Sequence, residues 1–113
     1  MATAEEVTST MRDLVKRFES VEETQRALLP SQRMIEAHCP DLGLTWHTRL
    51  HRGSIDELTE GPAPGRWQIR VTINSDDLLA LYERRLLVRD AYLSDRLQIR
   101  ASMTDLLRLR AAL

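Results

Sequence analysis

The chain has 113 residues, 42% of them apolar and 29% charged, with a formal net charge of −1. Those values suit one soluble globular domain over residues 1–113, able to bury about two thirds of its unfolded surface. They give no electrostatic case for nucleic acid or an anionic membrane. A single cysteine, Cys39, excludes an intramolecular disulfide and suits a reducing cytoplasm. No signal peptide and no apolar run of membrane-spanning length is visible. Fifteen of the sixteen basic residues are arginines, Lys16 being the exception. They are dispersed along the chain, which fits a codon bias better than a built anion site.

Thr3-Ala4-Glu5-Glu6 is a capping-box pattern. Val7, Met11, Leu14 and Phe18 follow at helical spacing, with Lys16 and Arg17 at the end where the helix dipole favours cations. Ser20-Val21-Glu22-Glu23 starts a second, short helix that stops before Pro30. Met34 to Cys39 is a strand ending at Pro40, and Asp41-Leu42-Gly43 is a turn. From Leu44 to Arg52 the even positions Leu44, Trp46, Thr48 and Leu50 form the apolar face of a strand. Gly53 and Ser54 turn the chain into a weaker, acidic strand over 55–60, suited to a sheet edge. Gly61-Pro62-Ala63-Pro64-Gly65 is a loop.

Trp67 to Ile73 alternates strictly, odd positions apolar, and so has one buried face. Asn74-Ser75-Asp76-Asp77 opens a helix that carries Leu78, Leu81 and Tyr82 on one side. A short helix and a strand at Arg96–Arg100 follow. Ser102-Met103-Thr104-Asp105 is a capping-box pattern opening a last helix with Leu106, Leu109 and Leu113 on one stripe. The sum is an α+β domain of about five strands and about five helices, the helices covering one apolar sheet face.

The polar residues do not assemble a recognisable catalytic or metal site. On a strand His47 and His51 stand about 13 Å apart, too far to share a metal. His38 and Cys39 point to opposite faces. There is no Gly-x-Ser-x-Gly elbow and no phosphate loop. Asp76 and Asp77 suit capping better than acid–base work. Arg84, Arg85 and Arg89 form the one basic cluster, either solvated or able to meet an anionic head group. What remains is a surplus of apolar residues between Leu78 and Leu113, which either fills a core or lines a cavity.

Residues 66–113 resemble the sterol carrier protein type 2 (sterol-binding) domain, in the style of stand-alone bacterial members. The resemblance rests on Ile73-Asn74-Ser75-Asp76-Asp77-Leu78-Leu79-Ala80-Leu81, then Ala91-Tyr92-Leu93, then Arg96-Leu97-Gln98-Ile99-Arg100. Asp41-Leu42-Gly43-Leu44 is similar as well. The family commonly has glycine near Arg84, at the turn of Asp95 and at Ala101, so shifted turns are expected there.

The resemblance implies a mixed, largely antiparallel sheet with an apolar tunnel between sheet and helices. It implies non-catalytic carriage of a fatty acid, acyl-CoA or sterol, without metal or cofactor. Expected wall residues are Trp46, Leu50, Ile69, Val71, Leu78, Leu81, Tyr82, Leu106, Leu109 and Leu113, with Arg84, Arg85 or Arg89 at the head group. An empty pocket of about 300 Å³ would cost roughly 7 kcal/mol, so it should hold lipid or be closed by mobile helices. The competing expectation is an interaction module with a filled core that dimerises or docks to an enzyme.

Overall fold

A computed structural model describes residues 2–18, 24, 27–30, 32–51 and 54–112. In chain order the elements are α1 (Ala4–Phe18), β1 (Arg33–Cys39), a 3-10 turn (Pro40–Leu42), β2 (Leu44–His51), β3 (Ser54–Ile55), β4 (Thr59–Glu60), β5 (Ile69–Ile73), α2 (Ser75–Tyr82), α3 (Val88–Leu93), β6 (Leu97–Arg100) and α4 (Met103–Ala112). The six strands form one sheet in the order β3-β2-β1-β5-β6, with β4 also on β2. β1 and β5 pair in parallel and every other pair is antiparallel.

Two expected counts change. The acidic strand expected over 55–60 is broken in two. Its pieces pair Ile55 with Leu50 and Glu60 with Trp46, so five steps on one strand face four on the other. That one-residue surplus is a bulge, which breaks up an exposed edge. It turns Leu58 inward, 7% exposed. Among the described residues there are four α-helices rather than five. The expected second helix falls largely outside them, and Ala27 and Leu28 form a turn. Gly53 also lies outside the described residues.

Alternation places Ile35, Ala37 and Cys39 of β1 beside Leu44, Trp46, Thr48 and Leu50 of β2 on one face. Val71 and Ile73 of β5 continue it, paired with Ile99 and Leu97 of β6. Two apolar clusters form against the helices. The larger holds Val7, Ala37, Cys39, Trp46, Ile73, Leu78, Ala91 and Leu97, packed by Met11 and Leu14 of α1. The smaller holds Leu29 and Leu50, packed by Phe18, Ile35, Ile55 and Leu109.

The opposite face is polar. Buried Glu36 there accepts from Arg70 Nε (3.2 Å) and from the Ala63 backbone N–H (3.1 Å), which ties down the proline-rich loop.

α2 and α3 end alike. Arg84 and Asp95 take left-handed conformations, φ 61° and 63°. Arg84 and Arg85 N–H donate to Leu81 and Ala80 carbonyls; Asp95 and Arg96 N–H donate to Tyr92 and Ala91. Each is a Schellman turn, whose left-handed residue is usually glycine. Two of the three sites where the family carries glycine thus keep a glycine-type backbone. Ala101 has no positive φ.

Candidate functional site

The expected wall residues come mainly from the sheet and from α2. Trp46, Leu50, Ile69 and Leu78 are buried, and Val71, Leu81, Tyr82, Leu106 and Leu109 are half-buried. Trp46, Leu78, Val71 and Leu81 meet in the larger cluster, whereas Leu50 and Leu109 meet in the smaller. Leu113 lies outside the described residues. Tyr82 is held by α1: Arg17 stacks 4.6 Å over its ring and donates to its backbone carbonyl at 3.0 Å.

α2 is fixed at its other end by a residue 34 positions away. Asn74 occupies the N-cap without a side-chain cap bond. The Asp41 carboxylate instead accepts from both the backbone N–H and the hydroxyl of Ser75, which is fully buried. It also accepts from the Cys39 thiol. The Ser75 hydroxyl bond holds the Asp41 carboxyl below its usual range. Burial, then the Asp41 carboxylate, push the Cys39 thiol up to about 12.

α4 is attached differently. Among its described side chains only that of Asp105 is buried, at 3% exposure. Ser102 Oγ accepts from the Asp105 N–H at 3.1 Å, giving the expected cap. The Asp105 carboxylate does not complete the capping box. It takes the Arg33 guanidinium bidentately, Nε at 2.8 Å and Nη2 at 3.3 Å. That pair holds the Arg33 pKa above its ordinary value. One turn on, Leu109 reaches the smaller cluster, while Met103 and Leu107 face solvent.

Two open grooves flank this assembly. One, of about 720 Å³, runs between α1 and β2 past Thr8, Arg12, Trp46 and Gly61. The other, of about 800 Å³, lies at the end of the sheet against the start of α4. Arg33, Arg66, Trp67, Gln68, Arg100 and Asp105 are among its lining residues.

The expected head-group arginines do not converge on either groove. Arg84 and Arg89 are exposed, and Arg85 pairs with Glu83 at 2.7 Å. The grooved arginines were missed because sequence spreads them over 67 positions, from 33 to 100. One signal was present: a capping box takes Glu or Gln at its fourth residue, and the shorter Asp105 stands there.

Each described histidine has a local partner. His38 Nδ1 lies 3.1 Å from the Leu44 carbonyl, His47 Nδ1 3.0 Å from the Gly61 carbonyl, and His51 Nε2 2.7 Å from Asp56. Among the described residues no group of three His, Cys, Asp or Glu side chains could hold a metal ion.

This architecture, a mixed sheet with helices packed on its apolar face, is the sterol carrier protein 2 fold. A crystal structure of sterol carrier protein 2 matches over 92% of this chain and 87% of its own, with TM-score 0.66 and 12% identity. The palmitated sterol carrier protein 2-like 2 of Aedes aegypti matches over 93% and 90%, with TM-score 0.63 and 18% identity. The UbiJ-SCP2 ubiquinone synthesis protein matches over 99% and 92%, with TM-score 0.60 and 16% identity. No protein-family model matches the chain, and no curated protein matches it by sequence.

Proposed function

We propose that this chain is a cytoplasmic, single-domain carrier that binds a fatty acid, acyl-CoA or sterol-like lipid between sheet and helices and catalyses no reaction. The observation that carries this reading is the contrast in how the apolar face is covered. α1 and α2 pack on it with buried Val7 and Leu78, while among the described side chains of α4 only the polar Asp105 is buried and Leu109 packs half-exposed on the smaller cluster. A cover with so few buried apolar contacts belongs to the less stable part of the fold, from which elements that open for a ligand are drawn. A palmitated neighbour of the same fold supports the choice of acyl ligands.

Native mass spectrometry of the purified protein, followed by denaturing extraction, tests it. The expected result is a one-to-one complex with an acyl or sterol mass, or a melting temperature raised by added lipid. Delipidated protein, verified intact, that gains no thermal stability from fatty acid, acyl-CoA or sterol overturns it.

A second reading is an interaction module of the same fold. It is favoured by the exposed apolar residues Leu87, Val88, Tyr92 and Leu93 around α3. A protein that stays bare with every lipid but runs as a dimer, and reverts to a monomer in L87S/L93S, would establish it.

A further inference from the structure

We propose that the free edge of β6 is a docking edge for an extended acidic segment of another protein, which adds as a further strand beside Leu97–Arg100 and sets a carboxylate against Arg100. The site is separate from the lipid reading and stands or falls without it.

The backbone offers the site. β6 ends the sheet order, with β5 on one side and no strand on the other. In an antiparallel pair, alternate residues turn their N–H and C=O away from the partner strand. Among the described residues, nothing outside β5 bonds the backbone of Leu97–Arg100. Such an edge is a template for one more strand.

Charge selects which strand. The register sets Glu36, Arg70 and Arg100 in one row across β1, β5 and β6, on the polar face. Arg70 and Arg100 are directly opposite, and like charges so placed are destabilising. Arg70 is compensated from its other side by Glu36, at 3.2 Å. Arg100 has the open edge on its other side, and among the described residues it has no ion pair. A carboxylate opposite it on an added strand would complete the row, and a guanidinium fork is shaped to take one. On the apolar face Leu97 is buried and half-buried Ile99 pairs with Val71. An apolar residue beside Ile99 would extend that face. The partner segment therefore alternates acidic and apolar residues. The arginines also work against self-pairing: two copies of β6 joined about Gln98 would set Arg96 of each opposite Arg100 of the other.

The test is calorimetric titration of the full chain with the blocked peptides TEVEVET, TEPEPET and TKVKVKT, with backbone amide NMR shifts to place the contact. TEPEPET keeps the charge of TEVEVET, but its prolines cannot donate to a ladder. Wild type is compared with R96Q/R100Q and with R108Q/R110Q, an equal change of charge on α4. All four arginines are exposed, so both variants should fold. The expected result is that TEVEVET binds and shifts the amides of residues 97–100, that TEPEPET binds at least about tenfold more weakly, and that TKVKVKT does not bind. TEVEVET should weaken about tenfold in R96Q/R100Q and stay within about twofold in R108Q/R110Q. Absence of TEVEVET binding overturns the proposal. Equal losses in the two variants, or equal affinity for TEPEPET, also overturn it, since they describe a charged surface rather than a strand edge. A chain that dimerises through the same amides and ignores the peptide overturns it too, because a second copy then covers the edge.

Discussion

The carboxylate of Asp41 holds both the backbone N–H and the hydroxyl of Ser75, joining the β1–β2 turn to the start of α2. Sequence places a capping signal at Asn74 to Asp77, yet the working acceptor comes from a distant turn. Removing Asp41 leaves the fully buried Ser75 hydroxyl without it. D41A and S75A should each lose about 1–3 kcal/mol, read by urea unfolding at neutral pH.

The same site predicts how stability follows pH. The folded Asp41 carboxyl sits below its usual range, so its contribution is present above the ordinary carboxylate pKa. It is lost as pH falls through the folded value. Cys39 acts in the opposite sense. Its thiol is raised from 9.0 to about 12, so folding favours the protonated form. Its contribution is complete below pH 9 and declines as pH rises toward 12. Urea midpoints across pH should fall at both ends, with D41N flattening the acid limb and C39A the alkaline limb.

A protonated, fully buried thiol is a poor nucleophile. Iodoacetamide at pH 8 should label native Cys39 no faster than the protein unfolds. Labelling at the rate of a free thiol in undenatured protein would contradict this placement.

The two Schellman turns offer an opposite kind of change. Arg84 and Asp95 hold left-handed backbones that glycine adopts without a side-chain penalty. R84G and D95G should each raise stability by about 0.5–1 kcal/mol, and the pair should add. A101G, where φ is not positive, should give no such gain.

Core and cover should respond differently to truncation. Leu78 is 2% exposed within the larger cluster, so L78A should cost about 2–5 kcal/mol. Leu109 is half-buried at the smaller cluster. L109A should cost well under half of that while weakening any bound acyl chain. Parallel melting curves with and without decanoate separate the two effects.

Much of this architecture is legible in the chain because alternation reports which side chains share a face. Leu44, Trp46, Thr48 and Leu50 fall together as read, and so do Ile69, Val71 and Ile73. Alternation says nothing about partners, so a mixed sheet was implied by resemblance alone and the parallel pairing of β1 with β5 was not read. Trp67 and Gln68 read as strand, but the strand begins at Ile69. There the Gln68 side-chain oxygen, rather than a backbone carbonyl, takes the Met34 N–H at 2.6 Å. The candidate site was legible in its apolar half. The Arg33–Asp105 pair that attaches α4 was not, because its two residues stand 72 positions apart and share no local period.

The parallel pairing also has a kinetic consequence. β1 and β2 are joined by a short turn, with Gly43 left-handed at φ 62°, and can zip locally. β5 must pair with β1 across a separation of 34 residues, as Ile35 with Ile69. The entropy of closing that loop must be met before the pairing's contacts reward it, so long-range parallel pairing is intrinsically slower than a local hairpin. The hairpin is therefore placed to form early, and the strand that completes the sheet's centre to join late. Weakening the Gly43 turn should slow folding, whereas trimming Val71 or Ile99 should chiefly hasten unfolding.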